Sequence, residues 1–561
     1  MSMSQSSAVR LLVGALGLVG VLAGPAFPDP PHWHRVVIES GEVGEDQCAA
    51  WCVLRFDPAG NPTIAYLDPN QRQILARPNP SDPNGVDGDW IKEEVPQPEP
   101  EGIIVGRTAL EYDPSGNAAL AYSYLPDPNN LMITKVIIAR GSFGGWGLTE
   151  RTPGFLPTDR GRIRLGFDAS GHVHVVYPWA APLAMRGVYH GMVPQLDPND
   201  VNDPNWYSVV ATVIHFDLRD MDPDFVFDPQ GYPRVVYGNC WGSNQETFYC
   251  TYDPNNPGDP CGLDFWSKEV VFDASMFDTR LVGPSLRFDG ADQATIAAYL
   301  WDGAIPSEGR LVWLVKEGYE DWPMSDIAGD IGRGSPHRPD LWLEYRGDGN
   351  PGVSYRSDSV SKVAALMYAW LDPSDANDTD PNLPHGVWQR RKVDGRPAGG
   401  QSDKGADHCM AIDPNGMPAI VYYDVTWNCL RYAVVADEPD TYTLSTWNEG
   451  LGHSHWGTIE IDPGLAEYPE GTLVSLTAVP SQDKRFVTWK VYDPRYPGDA
   501  NYARQDSNNP LQLVIEYDTQ VGAVFDCARG DALLPAILGV MGMTLAVAKL
   551  NHARRRNRAG R

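Results

Sequence analysis

The chain has 561 residues, enough for several domains or one large repeat architecture. Its 73 acidic against 44 basic residues give a formal charge of −29, a surface that repels phosphate backbones and excludes nucleic acid as a partner. The 55 Gly and 49 Pro are scattered between apolar runs, which suits many short strands joined by turns and argues against a bulk of long helices or disorder.

Residues 1–26 read as a secretory signal peptide. Arg10 is the one charge, Leu11 to Ala23 form a short apolar core, and Ala23, Gly24 and Ala26 offer small residues for cleavage. Export would place the rest of the chain where disulfides are permitted.

From residue 33 onward one phrase recurs: an apolar pair, an aromatic, Asp, two residues, Gly, then an apolar run ending in Tyr. It reads LRFDPAGNPTIAY at 54–66, LEYDPSGNAALAY at 110–122, LGFDASGHVHVVY at 165–177 and FVFDPQGYPRVVY at 225–237. Further copies are LRFDGADQATIAAY at 286–299, LEYRGDGNPGVSY at 343–355 and MAIDPNGMPAIVY at 410–422. Trp33, Trp90, Trp146, Trp206, Trp266, Trp322 and Trp388 lie 22–25 residues before Asp57, Asp113, Asp168, Asp228, Asp289, Arg346 and Asp413. Each Trp opens a short strand, and a further apolar segment follows each Tyr. The Asp turn-former, Pro with its preset φ, and Gly able to take positive φ predict a tight hairpin in each copy. Four strands per copy cannot bury both faces alone, whereas sheets stacked around an axis can.

The first copy opens with a lone Trp strand, and the last, ending near Asp437, has none of its own. Residues 33–39 are therefore expected to supply the outer strand of the final sheet and close the ring, since an open array would leave a bare edge. The fold class read from the sequence is all-β: a seven-bladed β-propeller over 27–437, a small β-domain over 441–526 and one C-terminal transmembrane helix. The repeats resemble bacterial propeller repeats distantly akin to those of sialidases. That resemblance implies a fold and no activity, because the matching residues, such as Asp57, Gly60 and the closing Tyr, are structural.

Cys48 and Cys52 precede the first inner strand, and Cys409 and Cys429 lie in the last copy. Ring closure would bring these four together, so two disulfides are expected at the seam, of either connectivity, with a further pair between Cys240 and Cys250. No CxxC pairing occurs, which argues against zinc.

Loops after the Tyr strand and before the Asp strand would share one face of the ring. Asp68, Tyr124, Trp179, Trp241, Trp301, Arg356, Asp358, Tyr423, Asp424 and Trp427 fall there and form the candidate ligand face. Aromatic rings stack on sugars and polar groups take hydroxyls, so the residue types suit carbohydrate; the same types also suit packing between sheets. Arg107, Arg162, Arg219, Arg280 and Arg338 recur before the Asp strands, either as anion ligands or as partners of acidic neighbours. Asp/Asn-rich loops at 82–89, 197–205 and 372–382 could offer oxygen ligands to Ca²⁺, although solvated acidic insertions are the plainer reading, and no other cofactor is indicated. His172 and His174 alternate on one strand, as do His453 and His455, and read as packing or surface residues.

Residues 441–526 change character. Gly457 with its following strand, the run from Tyr468 to Thr472, Ala478, Pro480, Phe486, Trp489 and the stretch from Val521 to Phe525 resemble the B-repeat of internalin-type surface proteins. The resemblance implies a small β-domain serving as a stalk or interaction module, with an insertion at 491–506 lengthening a central loop. Residues 532–548 are apolar and just long enough to span a hydrocarbon core, and the Arg-rich 549–561 would stay cytoplasmic. The order of turn, apolar helix and Arg cluster resembles C-terminal sorting signals of the exosortase type, whose tails are cleaved.

Taken together the sequence reads as an exported envelope protein whose propeller binds a glycan or protein ligand at the cell surface. A propeller-type glycoside hydrolase or polysaccharide lyase, and a purely structural surface protein, are the alternatives. Binding is placed ahead of catalysis, since no catalytic residue is legible. Paired carboxylates such as Asp68 and Asp424, in adjacent blades of a closed ring, would suit glycoside hydrolysis.

Overall fold

A computed structural model describes residues 32–40, 51–99, 102–104, 107–127, 135–142, 144–151, 156–157, 162–180, 185–193, 207–214, 223–239, 246–252, 266–273, 279–302, 309–319, 321–329, 341–358, 363–373, 386–395, 402–425, 428–436, 439–449, 456–492, 504–515 and 518–527. The described residues are all-β, and among them no helix is long and apolar enough to cross a membrane. The segments 1–26, 532–548 and 549–561, read as signal, membrane helix and basic tail, lie outside the described residues. Two compact units are present, Met1–Val435 and Ala436–Arg561.

In the first unit the repeated phrase folds as its turn chemistry dictates. In the first copy, Val53–Phe56 pairs antiparallel with Pro62–Leu67, which pairs with Gln73–Pro78, which pairs with Trp90–Glu94. The turn carboxylate makes the hairpin: Asp57 Oδ1 accepts from the N–H groups of Ala59 and Asn61 at 2.9 and 2.8 Å. Asp113, Asp168, Asp228, Asp289 and Asp413 repeat that pair of bonds two and four residues on. The sixth copy has Arg346 instead, and Asp348 takes over by accepting from Asn350 N. Gly60, at φ +90°, sits so close to the neighbouring turn that a Cβ there would stand 2.7 Å from Pro414.

The sheets follow one another around an axis. The inner strands Val53–Phe56, Ala109–Tyr112, Arg164–Phe167, Asp224–Phe227, Thr279–Phe288, Leu341–Tyr345 and Ser402–Ile412 each lie against the next, and the last lies against the first. The strand His32–Ser40 is hydrogen-bonded beside Cys429–Ala436, where the rhythm of tryptophans requires it.

Four of the tryptophans share a task. The outer-strand Trp of one sheet meets an aromatic on the third strand of the sheet before it: Trp90 on Tyr432, Trp322 on Tyr249, Trp388 on Trp313 and Trp33 on Tyr368, at centroid separations of 5.3–5.6 Å. All but one of these are edge-on contacts above 70°, the favoured geometry for buried rings. The Tyr that closes each phrase is buried, and several of the hydroxyls reach beyond their own sheet: Tyr66 to Glu39 at 2.9 Å, Tyr122 to the Pro96 carbonyl at 3.4 Å, Tyr422 to Asp394 at 2.6 Å.

The seam carries a buried ionic network, and no disulfide joins its described cysteines. Asp394 stands 3.6 Å from Arg35 of the N-terminal strand and 4.0 Å from Arg431, and Arg431 is 3.0 Å from Asp424. Cys52, Cys250, Cys409 and Cys429 are buried thiols, which corrects the expected pairing at the seam and between Cys240 and Cys250. Cys409 lies opposite Val421, and Cys429 opposite Asp424 on the far side of that same strand. An intervening strand sets backbones about 10 Å apart, beyond the roughly 7 Å a disulfide spans. Cys52 Sγ donates instead to the Asp407 carbonyl at 2.6 Å. Cys48 and Cys240 lie outside the described residues.

In the second unit, Leu444–Glu449, Thr519–Cys527, Lys484–Tyr492 and Arg504–Asp506 form one sheet, with the first pair parallel. Gly457–Asp462, Thr472–Pro480 and Leu511–Ile515 form another. Their shared core includes Trp489, Val474, Leu476, Ile515 and Phe525. Gly457 is required by packing, since a Cβ would meet the Phe525 ring at 2.4 Å. His453, His455 and most of the 491–506 insertion lie outside the described residues.

Candidate functional site: an axial cavity

Successive side chains of a strand point to opposite faces, so every second residue of an inner strand looks toward the axis. In the repeated phrase that position is Arg55, Glu111, Gly166, Val226, Arg287, Glu344 and Ala411, and all seven line one cavity of about 530 Å³. Two residues earlier stand Val53, Ala109, Arg164, Asp224 and Trp342, which line it more deeply. Phe56, Tyr112, Phe167, Phe227, Tyr345 and Ile412, next to the Asp turns, complete the wall. The cavity therefore sits at the turn end of the inner strands, away from the loops that follow each Tyr.

Its charges are paired across neighbouring sheets. Arg55 Nε donates to Glu111 in a very short bond, and Arg287 donates from Nε to Glu344 Oε2 at 2.9 Å and from Nη2 to Oε1. Asp224 is the hub: it takes Arg164 Nε at 2.5 Å, Leu286 N at 2.8 Å, Ser285 Oγ at 3.1 Å and Arg287 Nη1 at 3.2 Å. Burial raises the Asp224 pKa, but the guanidiniums of Arg164 and Arg287 outweigh it and hold the carboxyl well below the usual range. Arg55 is driven the other way: burial opposes its charge, and Glu111, Cys409 and Glu344 together keep it protonated. Beneath them Trp342 receives the guanidinium of Arg164 at 4.4 Å, with Arg55, Arg162 and Arg287 at 5.5, 5.8 and 6.0 Å from the ring centre. Tyr112, whose hydroxyl donates to Thr63 Oγ1 at 2.6 Å, is pushed up by burial to about 12.

The candidate ligand face read from the sequence does not assemble in this way. Asp68 is absorbed by its own turn, accepting from Asn70 N and Arg72 N and pairing with the Arg72 side chain. Tyr124 is fully buried and accepts from Glu99 N at 3.1 Å. Tyr423 is buried with its hydroxyl on Asn428 at 2.7 Å, and Asp424 is fully buried against Arg431. Trp301 is half-buried against the core between the fifth and sixth sheets, and Arg356 is half-buried with its N–H on the Tyr299 hydroxyl. Trp179 and Asp358 are placed on the strands Val173–Ala180 and Pro351–Asp358, while Trp241 and Trp427 lie outside the described residues. The physical reason is common: a carboxylate or tyrosine at the end of a strand, within it as Tyr124, Tyr423 and Asp424 or just past it as Asp68, is used to seal that end.

Of the recurring arginines, Arg107 stands 3.2 Å from Asp407, and Arg162 is wholly buried beside Trp342. Arg219 and Arg338 lie outside the described residues. In the loop at 82–89, Asp82 is buried and accepts from Val86 N at 3.2 Å and Asp87 N at 2.9 Å. Among the described residues no group of His, Cys, Asp and Glu is arranged to hold a metal ion. His174 is a core residue, 4.9 Å from the Phe227 ring, and burial outweighs nearby Asp168 to lower its pKa to about 4. The axial residues escaped the sequence reading because they are the variable position of an otherwise constant phrase. Arginine or glutamate at that position in four of the seven copies was the available signal.

No protein-family model matches the chain, and no curated protein does. Among solved structures it is similar to an α-L-arabinanase of Penicillium chrysogenum complexed with arabinobiose, at 13% identity over 60% of this chain and 93% of that one, with a TM-score of 0.38. It is also similar to an ulvan lyase, at 10% identity over 72% and 95% with a TM-score of 0.42, and to a Dyadobacter fermentans protein of unknown function, at 12% over 72% and 97% with a TM-score of 0.38. Likeness of this extent carries nothing about a ligand.

Proposed function

We propose that the first unit is a seven-bladed β-propeller of an exported surface protein and that its axial cavity binds glycan. The reading rests on the convergence of Arg55, Glu111, Arg287 and Glu344 from four sheets on one aromatic-walled cavity of about 530 Å³. That size and mixture, apolar walls with a few fixed polar groups, is what a small-ligand site requires. In this reading the second unit is a stalk or interaction module and the C-terminal segment a membrane or sorting signal. Glycan-array binding by the full chain, lost on closing the cavity with Ala109→Trp, is the expected result. Unchanged binding by that variant would remove the cavity from the account.

Glycan cleavage, as by a glycoside hydrolase or lyase, is the second reading, favoured by Glu111 and Glu344 facing the same space. Each is already clamped by a guanidinium, and Tyr112 at about 12 is a poor base near neutral pH, which is why binding is placed first. Release of reducing ends, or of unsaturated products absorbing in the ultraviolet, would reverse that order.

A further inference from the structure

The cavity contains one device twice. In the first and second sheets Arg55 is held by Glu111 and by the Leu54 carbonyl at 2.8 Å, with the Tyr112 hydroxyl on Thr63. In the fifth and sixth sheets Arg287 is held by Glu344 and by the Leu286 carbonyl at 2.6 Å, with the Tyr345 hydroxyl and Thr295 at 2.9 Å. The two clamps occupy equivalent register positions and meet over the same indole, Trp342.

Resting on the glycan reading, we propose that this pair of clamps selects a neutral glycan, presenting Glu111 and Glu344 as hydroxyl acceptors to two adjacent sugar residues. Three observations point this way. The guanidiniums already have carboxylate partners, Arg287 two of them, so an incoming anion would have to displace a protein carboxylate. The carboxylates are the more accessible half of each clamp: Glu111 is 30% exposed against 20% for Arg55, and Glu344 20% against 14% for Arg287. A carboxylate has about four lone-pair positions, so each retains acceptor capacity for a sugar O–H after binding its arginine. Finally, a chain of formal charge −29 repels uronates and sulfates at long range. The guanidiniums of Arg164 and Arg140 lie over Trp342 and Phe167, and Tyr112, Tyr345 and Phe56 are the further rings of the lining against which a sugar face could stack.

The test is titration calorimetry of the full chain with neutral cello-, xylo- and manno-oligosaccharides beside oligogalacturonate and heparin-derived oligosaccharides, at low and high salt. A neutral oligosaccharide should saturate with an affinity little changed by salt, and Glu111→Gln and Glu344→Gln should each weaken it about tenfold or more. Circular dichroism of both variants separates lost binding from lost folding, and Glu111→Gln, at the more exposed clamp, is the safer of the two. Tighter binding of the acidic sets, or strengthened binding on either Glu→Gln change, overturns the inference while leaving glycan binding in place. Silence from every saccharide overturns the inference and the glycan reading together.

Discussion

Two buried arginine–carboxylate networks stand among the described residues of the first unit, and they differ in what lies beside them. At the seam, Arg35, Asp394, Arg431 and Asp424 are all at most 10% exposed, and Tyr422 fills the remaining acceptor space on Asp394. Along the axis, Asp224 is equally buried, but the Arg55–Glu111 and Arg287–Glu344 ends open onto the cavity. The chemistry is the same in both places. A network with no room beside it can only hold strands together, whereas one bordering a cavity can also meet a ligand.

Removing a shared seam carboxylate should have the largest effect. Asp394→Ala leaves two buried guanidiniums without the charge between them, an expected cost of about 3–5 kcal/mol by chemical denaturation. The N-terminal strand should then become sensitive to limited proteolysis. If Asp394→Ala is nearly neutral, the seam is held by packing alone and the contrast with the axis fails.

Acid should weaken the fold through a residue belonging to neither network. His174 titrates near 4 when folded and near 6.5 when unfolded, so the unfolded chain binds the extra proton between those values. Stability should fall as pH drops from about 6.5 to about 4, by on the order of 3 kcal/mol, and His174→Gln should flatten that slope. Asp224, whose pKa is depressed in the fold, contributes stability that is lost only below the ordinary carboxylate range, so its network should stay intact through this window.

The turns offer a smaller, paired test. Gly60 and Gly231 share the same turn at φ +90° and +84°, but a Cβ at Gly60 meets Pro414 while none of its neighbours crowds Gly231. Gly60→Ala should cost about 2–3 kcal/mol and Gly231→Ala about 1 kcal/mol in thermal unfolding. Equal costs would mean that the Gly60–Pro414 contact contributes nothing to closure. Smallest should be Glu111→Gln, below about 1 kcal/mol in stability because its pair is partly solvated, yet decisive for ligand. A cost approaching that of Asp394→Ala would make the axial network structural after all.

By itself the sequence determined the sheets, their turns and the closing strand. Those features depend on local rules: Asp and Gly three residues apart specify a hairpin wherever they stand, and a tryptophan at a nearly constant distance marks the outer strand. Local rules could not separate a carboxylate that seals a strand end, such as Asp68 or Asp424, from one that faces open space, such as Glu111. They also brought Cys409 and Cys429 into one copy without showing that a strand runs between them. Only the tertiary structure decided where space remains, because a cavity belongs to no segment: it exists where side chains from separate sheets fail to meet, and no local pattern encodes that distance.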